Sequence, residues 1–420
     1  MDNIKKINLY DNINLTLIPS KKFKTNLVSI YVQRVLDKNE VTKNALLPNM
    51  ITNASNKYNS LRSISNKLED LYGASLLADV SKRGERQVLN IKLVTTNEMY
   101  LDEPIFNDAI EFLDEVINNP LIENDGFKEE YLKLEKQNLT ERIKAKINDK
   151  GRFALERCFE EMCKDEKFSI SEYGYIEDIE KITAKDLYNH YKTILKTSPI
   201  DIVIEGEFDE EKVVETIKSK FKFERENLIS IPREEYKKDI KEVKTIVDKM
   251  DITQGKLVMG YRTNTDFADA KNYYPLIVGC NILGGGPHSK MFINIREKES
   301  LCYYIYSSIE KYKGILFISS GIETQNYDKT TELVKQQIES MIEGNISDEE
   351  LGNSKISLVS SMRALTDSIG GLSDFKFSQD ISKTNLSIED IINYIEKVTK
   401  EEIVDVFKRL QLDTIYFLRN

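Results

Sequence analysis

Two side chains seven positions apart, Arg296 and Tyr303, offer the clearest chemistry in this chain. A guanidinium fork and a phenol both donate hydrogen bonds and so can each serve a carbonyl or an oxyanion, but type and spacing alone read as a surface arginine and a core-facing tyrosine in a chain with 21 tyrosines. Just upstream, Gly284-Gly285-Gly286-Pro287-His288-Ser289 breaks the chain before the Arg-bearing helix. These glycines let backbone approach a bound peptide closely, or permit a tight turn between helices. The cluster has neither Walker spacing with Lys-Ser/Thr nor a GxGxxG after a short strand, so no nucleotide site is expected.

Metal and nucleophile chemistry are poorly supplied. The only histidines are His190 and His288. His288 has no His, Cys or acid nearby at metal spacing and reads as an exposed or helix-starting residue; His190 lies beside Tyr191 on a helical face and reads as structural or exposed. Cys158, Cys163, Cys280 and Cys302 make no CxxC pair and read as buried or idle thiols. No motif accompanies a serine or cysteine nucleophile.

The elements that must position these residues follow from periodicity. Apolar, β-branched runs at 7–9, 15–18, 27–35, 76–80, 88–94 and 200–204 predict strands, the first two joined by the turn-prone Asp11-Asn12. Helical spacing at 61–71, 110–117, 127–146 and 187–195 predicts helices, and Thr183-Ala184-Lys185-Asp186 has the form of a capping box. The order then starts again: a strand at 257–261, a helix at 274–282, the glycine cluster, a helix through Met291, Phe292 and Ile295, strands at 303–309 and 315–322, and a helix through 333–342 ending at Gly344.

This is an internal repeat. Residues 179–187 match 395–403 at an offset of 216 (399 − 183), and 127–139 match 346–358 at an offset of 219 (346 − 127). Two separated matches at nearly one offset indicate two homologous α/β halves, 1–223 and 243–420, joined by the polar, Pro232-containing linker 224–242. The length of 420 residues accommodates them. With 40% hydrophobic and 31% charged residues the chain has the balance of a soluble globular protein, and a net charge of −10 argues against nucleic acid as partner. The mixed-sign run 233–239 reads as solvated surface. Met1-Asp2-Asn3-Ile4-Lys5-Lys6 lacks the apolar stretch of a signal peptide and no segment reads as a membrane span, so a cytoplasmic location is expected.

The run from Gly284 to Phe292, with Arg296, Leu301 and Tyr303, resembles the C-terminal half of pitrilysin-type (M16, insulinase family) zinc peptidases, and the duplicated halves extend the resemblance over essentially the whole chain. It implies an α/β (α+β type) fold of two homologous halves facing each other across a chamber, each a mostly antiparallel sheet packed with helices. Active members carry HxxEH on a helix of the first half, where two imidazoles one turn apart hold zinc and the glutamate activates its water; a later Glu is the third ligand. Here Ala45-Leu46-Leu47-Pro48-Asn49-Met50 stands where the family has His-Phe-Leu-Glu-His-Met, so Ala45, Pro48 and Asn49 occupy the ligand and base positions, and Glu141 with Arg142 lies near the third.

The resemblance therefore implies a non-catalytic subunit with no cofactor of its own, zinc being expected only in a partner. Paired as a heterodimer with an HxxEH-bearing homologue, it would supply Arg296, Tyr303 and the loop of Gly284, Gly285 and Gly286 to a shared chamber that processes a peptide or small protein; a homodimer is also compatible. The alternative is an inert structural or binding subunit. Among bacterial members without the metal motif, the chain looks closest to the group associated with 5-aminopentanol modification of elongation factor P.

Overall fold

A computed structural model describes residues 4–420, which gather into two compact units. The first holds the residues up to Lys144, Ile170–Pro232 and Thr366–Phe377; the second holds Ala145–Ser169, Arg233–Leu365 and Ser378–Asn420. Each sequence half thus contributes one segment to the unit built mainly from the other half.

In the first unit, β1 (Lys5–Tyr10) and β2 (Ile13–Pro19) form a hairpin whose turn residues Asp11 and Asn12 are both left-handed, at φ 39° and 62°. Asx residues tolerate that conformation, and it matches the twist of the flanking strands. There follow β3 (Thr25–Val35), α1 (Val41–Asn53), α2 (Leu61–Asp70), β4 (Ser75–Arg83), β5 (Arg86–Thr96), α3 (Phe106–Asn118) and the two-residue strands β6 (Ile122–Glu123) and β7 (Gly126–Phe127). Helix α4 (Glu129–Ala145) comes next; α5 (Lys150–Met162) belongs to the second unit, and α6 (Ile176–Ile179), α7 (Ala184–Thr197), β8 (Ile200–Gly206) and α8 (Glu210–Lys220) complete the half. The sheet order is β1-β2-β8-β3-β5-β4, with only β2 and β8 running parallel. Ile13, Leu15 and Leu17 point alternate side chains into a core completed by Leu47 of α1, Leu113 of α3 and Leu187 of α7.

The second unit adds β9 (Lys244–Lys249), β10 (Gly255–Arg262), α9 (Ala270–Gly284), a π-helical turn at Phe292–Glu297, β11 (Cys302–Glu310) and β12 (Ile315–Ile322). Then come α10 (Tyr327–Ile342), α11 (Asp348–Ala364), α12 (Gly371–Ser382), which straddles the division between units, α13 (Ile388–Lys397), α14 (Lys400–Phe407) and β13 (Gln411–Arg419). The sheet order β11-β12-β10-β13-β9 repeats that of β4-β5-β3-β8-β2, down to one parallel pair, β13 with β9. The repeat extends to single bonds: Lys136 Nζ donates to the Glu180 carbonyl at 3.2 Å, and Lys355 Nζ to the Glu396 carbonyl at 2.9 Å. The fold class read from the sequence is the observed one.

Three local readings change. The helix expected through Met291 and Ile295 is a π turn, closed by the Lys298 amide donating to the Ile293 carbonyl at 3.0 Å. The capping box at Thr183 is one-sided: the hydroxyl accepts from the Asp186 amide at 3.1 Å, but the Asp186 carboxylate turns to Lys43, 3.1 Å away. Its repeat partner Thr399 forms the full box with Glu402. Finally, the run 233–239 is partly structural: Arg233 pairs with Asp266, and Lys238 Nζ lies 2.8 Å from Glu166. Residues 221–243 form no helix or strand.

Glu166 organises the second unit. Arg262 and Lys313, both almost fully buried, reach it at 2.9 and 2.7 Å, and Arg262 also holds Asp413 at 2.9 Å. Burial pushes the Glu166 carboxyl up, but the bonds from Lys238 and Lys313 and the charge of Arg262 outweigh it and hold the group down at about 2. The same Arg262 donates to the Met162 carbonyl at 2.9 Å, so the end of α5 is fastened to β10 and β13.

Candidate functional site

Helix α9 must end before its last turn strikes β11. A Cβ on Gly284 would lie 2.5 Å from the Ser307 amide nitrogen and 2.4 Å from Met291 Cε, so glycine is required there by the close approach of helix to strand. Gly285 caps the helix, its amide bonding the Asn281 carbonyl at 2.8 Å, while a Cβ on Gly286 would meet nothing within 4 Å. Gly284 is thus set by close packing against β11, a role the sequence reading did not name, and Gly285 by the turn that ends α9. Only Gly286 has open space around it. His288 is exposed beside it, and Lys290 pins the following residues through Asn345 and Glu350, at 2.6 and 2.9 Å.

Arg296 lies on the π turn, its guanidinium 4.4 Å from the Phe292 ring centroid and 3.9 Å from Glu297. The chain then reverses through Ser300, left-handed at φ 53°, whose amide bonds the Arg296 carbonyl at 3.1 Å. It enters β11 through a bulge: Cys302 pairs with Ile322 and Tyr304 with Gly321, leaving Tyr303 as the extra residue. That geometry turns the Tyr303 side chain outward, 80% exposed, whereas Tyr304 and Ile305 pack down. Arg296 and the start of β11 share one locality. Burial pushes the Cys302 thiol up, and Ser320 and the Arg296 charge pull it partly back. Two hydrogen-bond donors thus stand on two irregular backbone turns of the kind found at functional sites. They can bind and orient a carbonyl.

Ala45, Pro48 and Asn49 lie on α1, with Ala45 at 4% exposure and Pro48 inside the helix, where its ring leaves the Asn44 carbonyl without its usual amide partner. A methyl, a pyrrolidine ring and a carboxamide do not fit zinc, and the described residues contain no group of three or more His, Cys, Asp or Glu able to hold a metal ion. Glu141 is exposed and accepts from Gln137; Arg142 pairs with Asp79 at 2.7 Å. Neither is bonded to α1.

The acid that does face α1 was not picked out from the sequence. Glu135, 5% exposed, accepts from Asn53 Nδ2 at 2.9 Å. Its signal was available: it falls between Leu132 and Leu139 on the apolar stripe of α4. His190 is likewise structural, its Nε2 2.7 Å from Asn44 Oδ1, while Asn44 donates to Gln87 at 2.8 Å. Burial holds the imidazole down at about 4, so it is neutral at pH 7. Cys158, Cys163 and Cys280 are buried free thiols and Cys302 is partly buried.

Residues 181–358 match the family profile described as Peptidase M16 inactive domain. The chain is 35% identical over 405 residues, 96% of its length and 95% of the relative's, to a Bacillus subtilis (strain 168) protein called probable inactive metalloprotease YmfF. A conserved protein from Enterococcus faecalis V583, known from its crystal structure, superposes with a TM-score of 0.92 at 30% identity, covering 100% of this chain and 99% of that one. The peptidase M16 inactive domain protein of Pseudomonas fluorescens shares the fold at a TM-score of 0.80 and 16% identity, over 99% and 98% of the two chains.

Proposed function

We infer, from a chain that belongs to the M16 peptidase family and carries Ala45, Pro48 and Asn49 at the metal positions, that it is a non-catalytic subunit which lends substrate-binding groups to a zinc-bearing homologue. The observation that carries this reading is the contrast within one molecule. Arg296 and Tyr303 stand on a π turn and a bulge, devices that cost backbone regularity, while the metal-motif positions hold the buried Ala45 and Pro48 and the half-buried Asn49. In the shared chamber the two donors hold a peptide carbonyl and the developing oxyanion, and the partner supplies zinc and base. The partner is a heterodimer subunit bearing HxxEH, the substrate a peptide or small protein, and the compartment the cytoplasm; among the described residues no helix is long and apolar enough to cross a membrane.

The test is reconstitution. The chain is mixed with an HxxEH-bearing homologue of similar length from the same source, and peptide cleavage is followed. The mixture should cleave substantially faster than the homologue alone; equal rates, with the two chains shown to associate, would refute the shared site. The close packing of Gly284 against β11 favours a second reading, an inert binding subunit whose client, as in maturation of elongation factor P, is a folded protein. On that reading association occurs without any gain in rate.

A further inference from the structure

The second unit contains a cavity of about 850 Å³ at the start of α5, between that helix and the sheet face carrying Lys256, Tyr304 and Tyr306. Its construction is specific. Gly321 lies beside Tyr304 on the neighbouring strand, and a Cβ there would come within 2.6 Å of both the Tyr304 ring and Gln254 Oε1, so glycine lets the ring and the amide lie against β12. Lys256 Nζ donates to that same Gln254 oxygen at 2.8 Å and sits 5.3 Å from the Tyr304 ring centroid. The Tyr306 ring continues the wall, its centroid 6.1 Å from that of Tyr304.

The lining holds one carboxylate, Asp149, against three basic side chains, Lys150, Arg152 and Lys256. Lys256 is partly buried, yet it pairs with no carboxylate among the described residues; its bonded partner is a neutral amide. Asp149 is the nearby acid, and its side chain is engaged in capping α5, accepting from the Arg152 amide at 3.0 Å. Burial accordingly draws the Lys256 ammonium below its ordinary range, with Asp149 opposing only in part. A half-buried cation without an anion is costly, and a bound anion removes that cost. Lys150, also lining the cavity, adds positive charge locally in a chain whose net charge is −10, while Arg152 is paired with Glu156 at 2.9 Å.

We propose that this cavity binds the carboxylate of an acidic peptide, with Lys256 as counter-ion and Tyr304 and Tyr306 as the aromatic wall along the adjoining residues. The carboxylate is a C-terminal group or an Asp or Glu side chain. The inference deepens the reading of the chain as a peptide-binding subunit by naming a substrate class, and it is measured on this chain alone, without a catalytic partner. Three N-acetylated pentapeptides serve as probes in calorimetry: an all-alanine amide, the same peptide with a free C-terminus, and the amide ending in glutamate. At least one carboxylate peptide should bind roughly tenfold more tightly than the neutral amide, and which of them does so identifies the source of the group. Lys256→Met should erase the difference and Lys256→Arg should keep it. Equal binding of all three peptides, or an undiminished preference in Lys256→Met, would overturn the proposal.

Discussion

At the residue scale, Arg296 and Tyr303 were legible as a pair only through the family resemblance, since type and spacing alone read as a surface arginine and a core-facing tyrosine among 21 tyrosines. Tyr303's exposure was not, since the bulge that turns it outward depends on how β11 registers against β12, and its neighbours Tyr304 and Tyr306 look identical in sequence. Exposure makes a clean prediction. Tyr303→Phe should shift unfolding free energy by no more than about 0.5 kcal/mol in denaturant titration, so any larger functional loss reports on binding. His190 predicts a pH effect of definite sign. Its folded pKa of about 4 lies below an unfolded value of about 6.5, so on acidification the unfolded chain takes up the proton first. Stability should therefore fall as pH drops from about 6.5 toward 4, and His190→Gln should flatten that slope. A variant as acid-sensitive as the parent would place the cause elsewhere.

At the element scale, many strands and helices followed from periodicity, but β9, β13 and α5 went unread, and the irregular turns did too, because a π turn and a bulge leave no mark on the apolar pattern. The glycine cluster shows the limit most plainly. Three identical residues read alike, yet they meet a strand backbone, a helix end and open space. Gly284→Ala should cost about 2 kcal/mol, because the atom it strikes is the Ser307 main chain, which cannot swing away, while Gly286→Ala should be close to neutral. Equal effects at the two positions in thermal or chemical unfolding would show that the packing of α9 against β11 is misassigned.

At the scale of the whole molecule, the repeat was legible because helix-capping and helix-start segments recur at nearly one offset, and the two sheets share one strand order. The reciprocal placement of Ala145–Ser169 and Thr366–Phe377 was not, since a helix pattern does not say which sheet it covers. Glu166 fastens the first of these segments. Its folded pKa of about 2 lies below an unfolded value near 4.3, so its contribution is whole above that value and drains away as pH falls toward 2. Glu166→Gln should cost about 3 kcal/mol at pH 7 by leaving Arg262 and Lys313 without their acid, and the penalty should shrink below pH 4. An unchanged midpoint at pH 7 would show that this cluster does not secure α5.

The central claim is that donors here complete a metal site elsewhere, and steady-state peptide cleavage by the reconstituted pair tests it most directly. With association confirmed, Arg296→Ala and Tyr303→Phe in this chain should each lower kcat/KM by roughly a hundredfold, the loss expected for one oxyanion donor. Cleavage unchanged in both variants would contradict the account and leave the chain an inert member of its family.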